Sequence, residues 1–302
     1  MINCAPWAQE MPVKSYALSS WTSFGTFLGQ AEEIVYPPSG YKAKMYSQLL
    51  WDIMPVFYYG LSLDFSRARP LEKWGFFATI SLRNGIPGKS GKMEDRDWQS
   101  KESDALTDFS AHDNFTNELF IFDASAGLSF PLNQFLLKAY VTMSYMRFSF
   151  SGQYGYATYS MDDDPYEVSF ADTEKAINYT QTWLTAAPGI SVGYYFYRFY
   201  AELFFNISPL ISCRGVDEHL LTNTVYKDYM QGGIFLEPGF HFSFIAGRRL
   251  EFSFDFSWRH MGGARGATWI GNPIGTATLA QKGEAGAGLS LFNIGLCMKI
   301  RL

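Results

Sequence analysis

Hydrophobic and polar side chains alternate strictly along much of this chain. From Leu250, the apolar Leu250, Phe252, Phe254, Phe256 and Trp258 interleave with Glu251, Ser253, Asp255, Ser257 and Arg259, a period of two that no helix places on one face. The last segment repeats it, with Phe292, Ile294, Leu296, Met298, Ile300 and Leu302 set against Asn293, Gly295, Cys297, Lys299 and Arg301. Shorter versions run through Phe240–Phe244 and Tyr197–Ile207. Between Phe135 and Phe150 the alternation changes phase near Met146, which predicts a β-bulge there.

Marking every such segment predicts about ten strands, roughly 16–36, 42–64, 72–95, 110–128, 135–152, 174–193, 197–218, 226–246, 249–270 and 282–302. Many exceed the usual 5 or 6 residues. Short connections at Arg67–Pro70, Pro131–Asn133, Phe196–Tyr197 and Gly247–Arg249 alternate with long polar ones near 85–110, 153–173, 213–226 and 263–282. An even number of long antiparallel strands, greasy on one face and polar on the other, with asymmetric connections, predicts an all-β, closed antiparallel transmembrane barrel. Closure follows because hydrocarbon offers a free sheet edge no hydrogen-bond partner. A soluble β-sandwich or lipocalin-like barrel would also alternate, but its interior is too small for this many rings. One domain is expected over 16–302, with 1–15 an N-terminal tail or signal remnant.

Composition sharpens that picture. The 302 residues include 27 Phe, 19 Tyr and 8 Trp, and this 18% aromatic share equals that of all charged residues. Soluble domains normally carry more charge and fewer rings. The net charge of -5 argues against nucleic acid as a partner. No run is long and apolar enough for a transmembrane helix. Residues 1–10 lack a basic n-region and an apolar h-region, so an export signal ahead of residue 1 is expected. Cys4, Cys213 and Cys297 have no metal-binding or disulfide spacing and are expected as unpaired thiols.

Few residues carry candidate chemistry. Gly189-Ile190-Ser191-Val192-Gly193 matches G-x-S-x-G, but that motif needs a strand, a turn and a helix, and nothing helical follows. Met161–Glu167 gathers carboxylates without the spacing or glycine of a calcium loop, so a solvated loop is expected. Asp95-Arg96-Asp97 and Asp217-Glu218-His219 say more. In extended backbone the i and i+2 side chains share a face, so each pair points together into the lumen or mouth. Strand counting places both on the long-loop rim. Three carboxylates and one imidazole, with no Ser or Cys nucleophile and no metal cluster, suggest activation of water. A histidine can take a proton near neutrality while a neighbouring carboxylate orients it. Two close aspartates resist double ionisation, so one can keep a proton and act as acid.

At these residues the sequence resembles the omptin family, ten-stranded outer-membrane endopeptidases of Gram-negative bacteria. Gly91-Lys92-Met93-Glu94-Asp95-Arg96-Asp97-Trp98 is similar to the segment carrying its Asp-Asp couple, and Asp217-Glu218-His219 to its Asp-x-His dyad. Further matches are Gly25-Thr26, Glu33 with Val35-Tyr36, Ser47-Gln48-Leu49-Leu50-Trp51, Thr107-Asp108, Asn117-Glu118, Glu174–Tyr179 and the closing strand. The resemblance implies an aspartic-type protease in which Asp217 and His219 activate water while Asp95 and Asp97 position it and stabilise the tetrahedral intermediate. It implies Glu33 and Asp108 as substrate-binding residues, with Glu33 at the floor of a pocket for Arg or Lys. Arg147 fits a lipopolysaccharide-binding position, making that lipid an implied activator; no other cofactor and no metal are expected. The chain departs from the family at Gly215, where a second pocket carboxylate is usual, at Thr182, aligned to another lipid-binding arginine, and at Leu302, where an aromatic is common.

The first functional reading is therefore an outer-membrane endopeptidase facing the cell exterior and cutting peptides at basic residues. Its rival is an omptin-shaped adhesin that binds host extracellular proteins without turnover, which has no need of the four motif residues. A passive pore fits less well, because lumen-facing Glu202, Glu251, Asp255, Arg259, Lys299 and Arg301 would cross-link and plug so narrow a barrel.

Overall fold

A computed structural model of the chain describes residues 16–67, 74–247, 249–272 and 278–302. The tail 1–15 with Cys4, residues 68–73 that include most of the short connection expected at Arg67–Pro70, Arg248 of the one expected at Gly247–Arg249, and residues 273–277 lie outside the described residues. Thirteen β-segments form one antiparallel sheet: β1 Tyr16–Val35, β2 Ser47–Arg67, β3 Gly75–Gly85, β4 Gly88–Asp97, β5 Asp108–Leu132, β6 Phe135–Tyr159, β7 Tyr166–Phe196, β8 Phe199–Ser208, β9 Ile211–His219, β10 Thr224–Gln231, β11 Ile234–Ile245, β12 Leu250–Gly271 and β13 Thr278–Arg301. Three pairs are single runs with a local break. Pro87 lacks an N–H between β3 and β4 and Pro209 between β8 and β9, while Gly232 and Gly233, at φ 78° and 91°, divide β10 from β11. The result is ten runs closed into a ring. Residues 19–35 of β1 pair with 285–301 of β13, β7 pairs with β8 and β9, and β12 with β10 and β11.

Where it is described, the short-turn end follows expectation, with tight hairpins at Asn133, φ 56°, and Tyr197, φ 52°. At the other end the strands run further than the alternation suggested. β4 occupies part of the predicted 85–110 loop, β6 and β7 extend as a hairpin to a turn at 160–165, and only 220–223 separates β9 from β10. Above the membrane both faces of these extensions meet water or a mixed interior, so the period-two signature weakens although the backbone stays paired.

No bulge occurs at Met146. Its partners Ile121 and Trp183 lie in unbroken register, and the nearest irregularities are on β5 between Thr116 and Glu118 and on β6 around Gln153. What changes at Met146 is the environment. Below it, outward Val141 and Met143 are exposed and inward Thr142 and Ser144 are buried; above it, inward Phe148 and Phe150 are fully buried and outward Arg147 is wet. The same inversion occurs on β13, where inward Asn293, Gly295, Cys297 and Lys299 give way upwards to Leu291, Leu289, Ala287 and Ala285. The barrel thus has two storeys. The lower one is apolar outside, with Leu203 and Leu296 64% and 65% exposed, as hydrocarbon requires. The upper one is an ordinary water-soluble barrel with an apolar centre.

Each storey fills its own lumen. Below, Arg259 Nη2 meets Asp123 Oδ2 at 2.9 Å and its Nε meets Glu237 Oε1 at 2.6 Å, with Arg83 also on Asp123. Lys138–Glu202 (2.7 Å), Lys299–Asp64 (3.1 Å) and Arg301–Glu251 (3.2 Å) add rungs. Above, Trp51 stacks between Phe150 and Tyr179 with centroids 5.7 and 5.5 Å apart. This aromatic layer closes the barrel beneath the mouth at the end where the strands extend furthest.

Candidate active site

On one wall of the mouth, β4 lies between β2 and β5, with Asp95 opposite Leu49 and Asp97 opposite Ser47. Gly91 sets the phase. At φ 107° it occupies the left-handed region that favours glycine, at a register shift between Lys89 and Lys92. A Cβ there would lie 2.6 Å from Asp52 Cβ. Asp52 Oδ2 in turn accepts the Lys92 N–H at 3.0 Å. Beyond this kink Met93, Asp95 and Asp97 turn inward, while Glu94 and Arg96 pair with each other on the outer face at 2.5 Å.

Facing them, β9 presents Asp217 and His219 inward from between β7 and β10. Around the ring β4 and β9 stand on opposite walls, and both runs rise from the short-turn end, so the two pairs share the upper rim. Asp217 is 3% exposed, and its Oδ2 accepts the His219 Nε2–H at 2.6 Å. That bond fixes the tautomer, leaving Nδ1 with the free lone pair. Tyr226, edge-on to the imidazole at 5.2 Å, holds the ring's plane.

The charges sense each other across the mouth. Burial pulls the His219 pKa down, but the hydrogen bond and charge of Asp217, with Asp95 and Asp97 opposite, outweigh it and raise the pKa overall. Burial pushes Asp217 up, and the His219 bond and charge offset this in part. Burial and then the neighbouring Asp97 charge lift Asp95 well above the carboxylate range. Asp97 is pushed up to about 6 by burial, against hydrogen bonds from Ser47 and Gln99 and with Asp108 adding to the rise. The couple can thus hold a proton near neutrality while the imidazole faces it.

Glu33 lies deeper, 3% exposed on β1 with Oε2 unpartnered. Burial, reinforced by Asp217, Asp228 and Asp95, holds its pKa well above the usual range. Asp108 stands opposite Asp97 in register, but its oxygens are occupied, Oδ1 by the Ser160 N–H at 3.0 Å and Oδ2 by the Thr107 hydroxyl at 3.1 Å. Arg147 lies on the outer wall of β6, its Nε 2.8 Å from Glu118 Oε2, beside Thr182 in register. Ser191 of the G-x-S-x-G match is mid-strand and buried. Among the described residues no His/Cys/Asp/Glu group could hold a metal, and Cys213 and Cys297 are free thiols.

Sequence reasoning missed three contributors. Ser47, whose hydroxyl donates to Asp95 Oδ1 at 3.3 Å, sat inside a motif noted for its resemblance alone. Tyr226 and Asp228 follow the dyad strand after a turn, and counting register back across 220–223 would have placed them opposite Asp217 and Gly215.

The family model described as "Omptin family" matches residues 14–302. The outer membrane protease OmpT from Escherichia coli has a similar structure, with a TM-score of 0.84 over 98% of this chain and 100% of that one at 19% identity. Neisserial surface protein A is at TM-score 0.28 and 7% identity, covering 96% and 98%. The transport unit of the autotransporter AIDA-I from Escherichia coli is at 0.34 and 10%, covering 97% and 91%. No curated protein matches the sequence.

Proposed function

The chain belongs to the omptin family, and on that footing we propose that it is an outer-membrane endopeptidase cutting beside basic residues, its site opening to the cell exterior. The observation that carries this reading is the confrontation of the hydrogen-bonded Asp217–His219 pair with Asp95 and Asp97 on the opposite wall, close enough for the two walls to shift each other's protonation.

A water between the walls gives a proton to His219 Nδ1 as its oxygen bonds to the peptide carbonyl carbon. Asp217 stabilises the imidazolium that forms. The protonated member of the Asp95–Asp97 couple donates a hydrogen bond to the developing oxyanion. Collapse of the tetrahedral intermediate breaks the C–N bond, and the proton held on His219 passes to the leaving amine. Basic preference rests on Glu33: a buried carboxylate with an orphaned oxygen rewards a guanidinium or ammonium delivered by substrate.

The test is to refold the chain with and without lipopolysaccharide and offer a quenched peptide containing Arg-Arg or Arg-Lys. His219→Ala should lose at least about 100-fold in kcat. Equal cleavage by the variant would end the catalytic assignment, and host-protein adhesion with no turnover by either protein would favour the adhesin. A rise on adding the lipid that Arg147→Ala abolishes would assign the outer wall its activating role.

A further inference from the structure

We propose that Asp228, reaching from β10 across to Gly215 on β9, is the second carboxylate of the pocket that takes the substrate's basic side chain. The proposal deepens the endopeptidase reading and rests on it. Asp228 and Gly215 are direct cross-strand partners, so their side-chain directions share the inward face. A Cβ on Gly215 would lie 3.3 Å from both Cβ and Oδ2 of Asp228 and 3.5 Å from Met230 Cε. The Asp228 carboxylate therefore packs against Gly215, into the space that a side chain at 215 would take.

Its state points to a ligand. Asp228 and Glu33 are each 3% exposed, yet Asp228 Oδ1 and Glu33 Oε2 have no hydrogen-bond partner. Neither residue has an ion-pair partner among the described residues, although buried acceptors in native proteins are ordinarily satisfied. They lie near each other, since the charge of Asp228 acts on Glu33 and both act on Tyr179 and Cys213. Burial lifts Asp228 to about 6, against a Thr268 hydrogen bond and with the Asp217 charge adding to the rise. A substrate cation would complete both carboxylates. An arginine suits the arrangement because its stem packs on apolar walls such as Met230 and its five N–H donors can serve acceptors on separate strands.

The experiment compares kcat/KM for two peptides that differ only in arginine or citrulline, its neutral isostere, before the scissile bond. Asp228→Asn is expected to reduce the arginine-to-citrulline ratio about 10- to 100-fold. A ratio within about threefold of wild type would overturn the proposal. Should Asp228→Asn not refold to the barrel, Asp228→Ser gives the same readout. Failure here is separable from failure of the protease reading. If wild type cleaves, His219→Ala does not, and the Asp228 ratio is unmoved, the pocket assignment falls alone. If wild type cleaves neither peptide, binding of the same pair with a reduced, uncleavable bond still reports the pocket, and equal affinity for both would overturn it.

Discussion

Replacing Asp217 by Asn removes one negative charge at constant volume from beneath His219. The bond at stake is 2.6 Å long and belongs to a side chain 3% exposed. A buried hydrogen bond to a charged group contributes about 1.5–3 kcal/mol, or roughly 10- to 150-fold at 1.36 kcal/mol per decade. The same charge stabilises the imidazolium that forms in the transition state, so the loss in kcat should be about 100-fold or more, with KM changed less than about threefold. The pH profile provides a second readout with a definite sign. In wild type the hydrogen bond and charge of Asp217 help raise the His219 pKa against its burial, and the base works only above that raised pKa. Without them the downward pull of burial meets only Asp95 and Asp97, so the acid limb of kcat moves to lower pH even as the plateau drops. The assay is continuous fluorescence from a quenched Arg-Arg peptide across the pH range, on protein refolded in detergent. An acid limb that stays put or moves up, or a kcat within about threefold of wild type, would refute the assigned role.

Two other outcomes follow from the geometry. Because burial lifts Asp228 to about 6, its neutral form should predominate as pH falls below that value, and a neutral acid cannot pair with guanidinium. KM for the arginine peptide should rise between about pH 7 and pH 5 while that of the citrulline peptide stays level; parallel behaviour of the two would contradict the pocket. Arg259→Met in the lower lumen would leave Glu237 without its cation and Asp123 with Arg83 alone. Breaking a buried pair in this way costs about 3–5 kcal/mol, so the guanidinium midpoint of the refolded barrel should fall clearly, and an unmoved midpoint would show that the rung contributes nothing.

The strand-by-strand plan was legible in the chain because a β-sheet side chain has a period of two, and β12 and β13 display it without interruption. So were the two i, i+2 pairs of the site, since extended backbone alone puts Asp95 with Asp97 and Asp217 with His219 on one face. Alternation does not say which face is inside, and here the answer reverses along a single strand. At Met146 the backbone stays in register while the exterior changes from lipid to water, so the residue pattern flips and mimics a bulge. A tight turn such as 220–223 carries register between the two strands it joins, and so sets Asp228 beside Gly215, but a linear sequence carries none between runs that are not neighbours. Whether β4 faces β9 over one small volume depends on how ten runs close and stagger. Period and spacing dictated the local faces; closure of the ring decided which charges meet, because proximity across a barrel is set by hydrogen-bond register summed over every strand between.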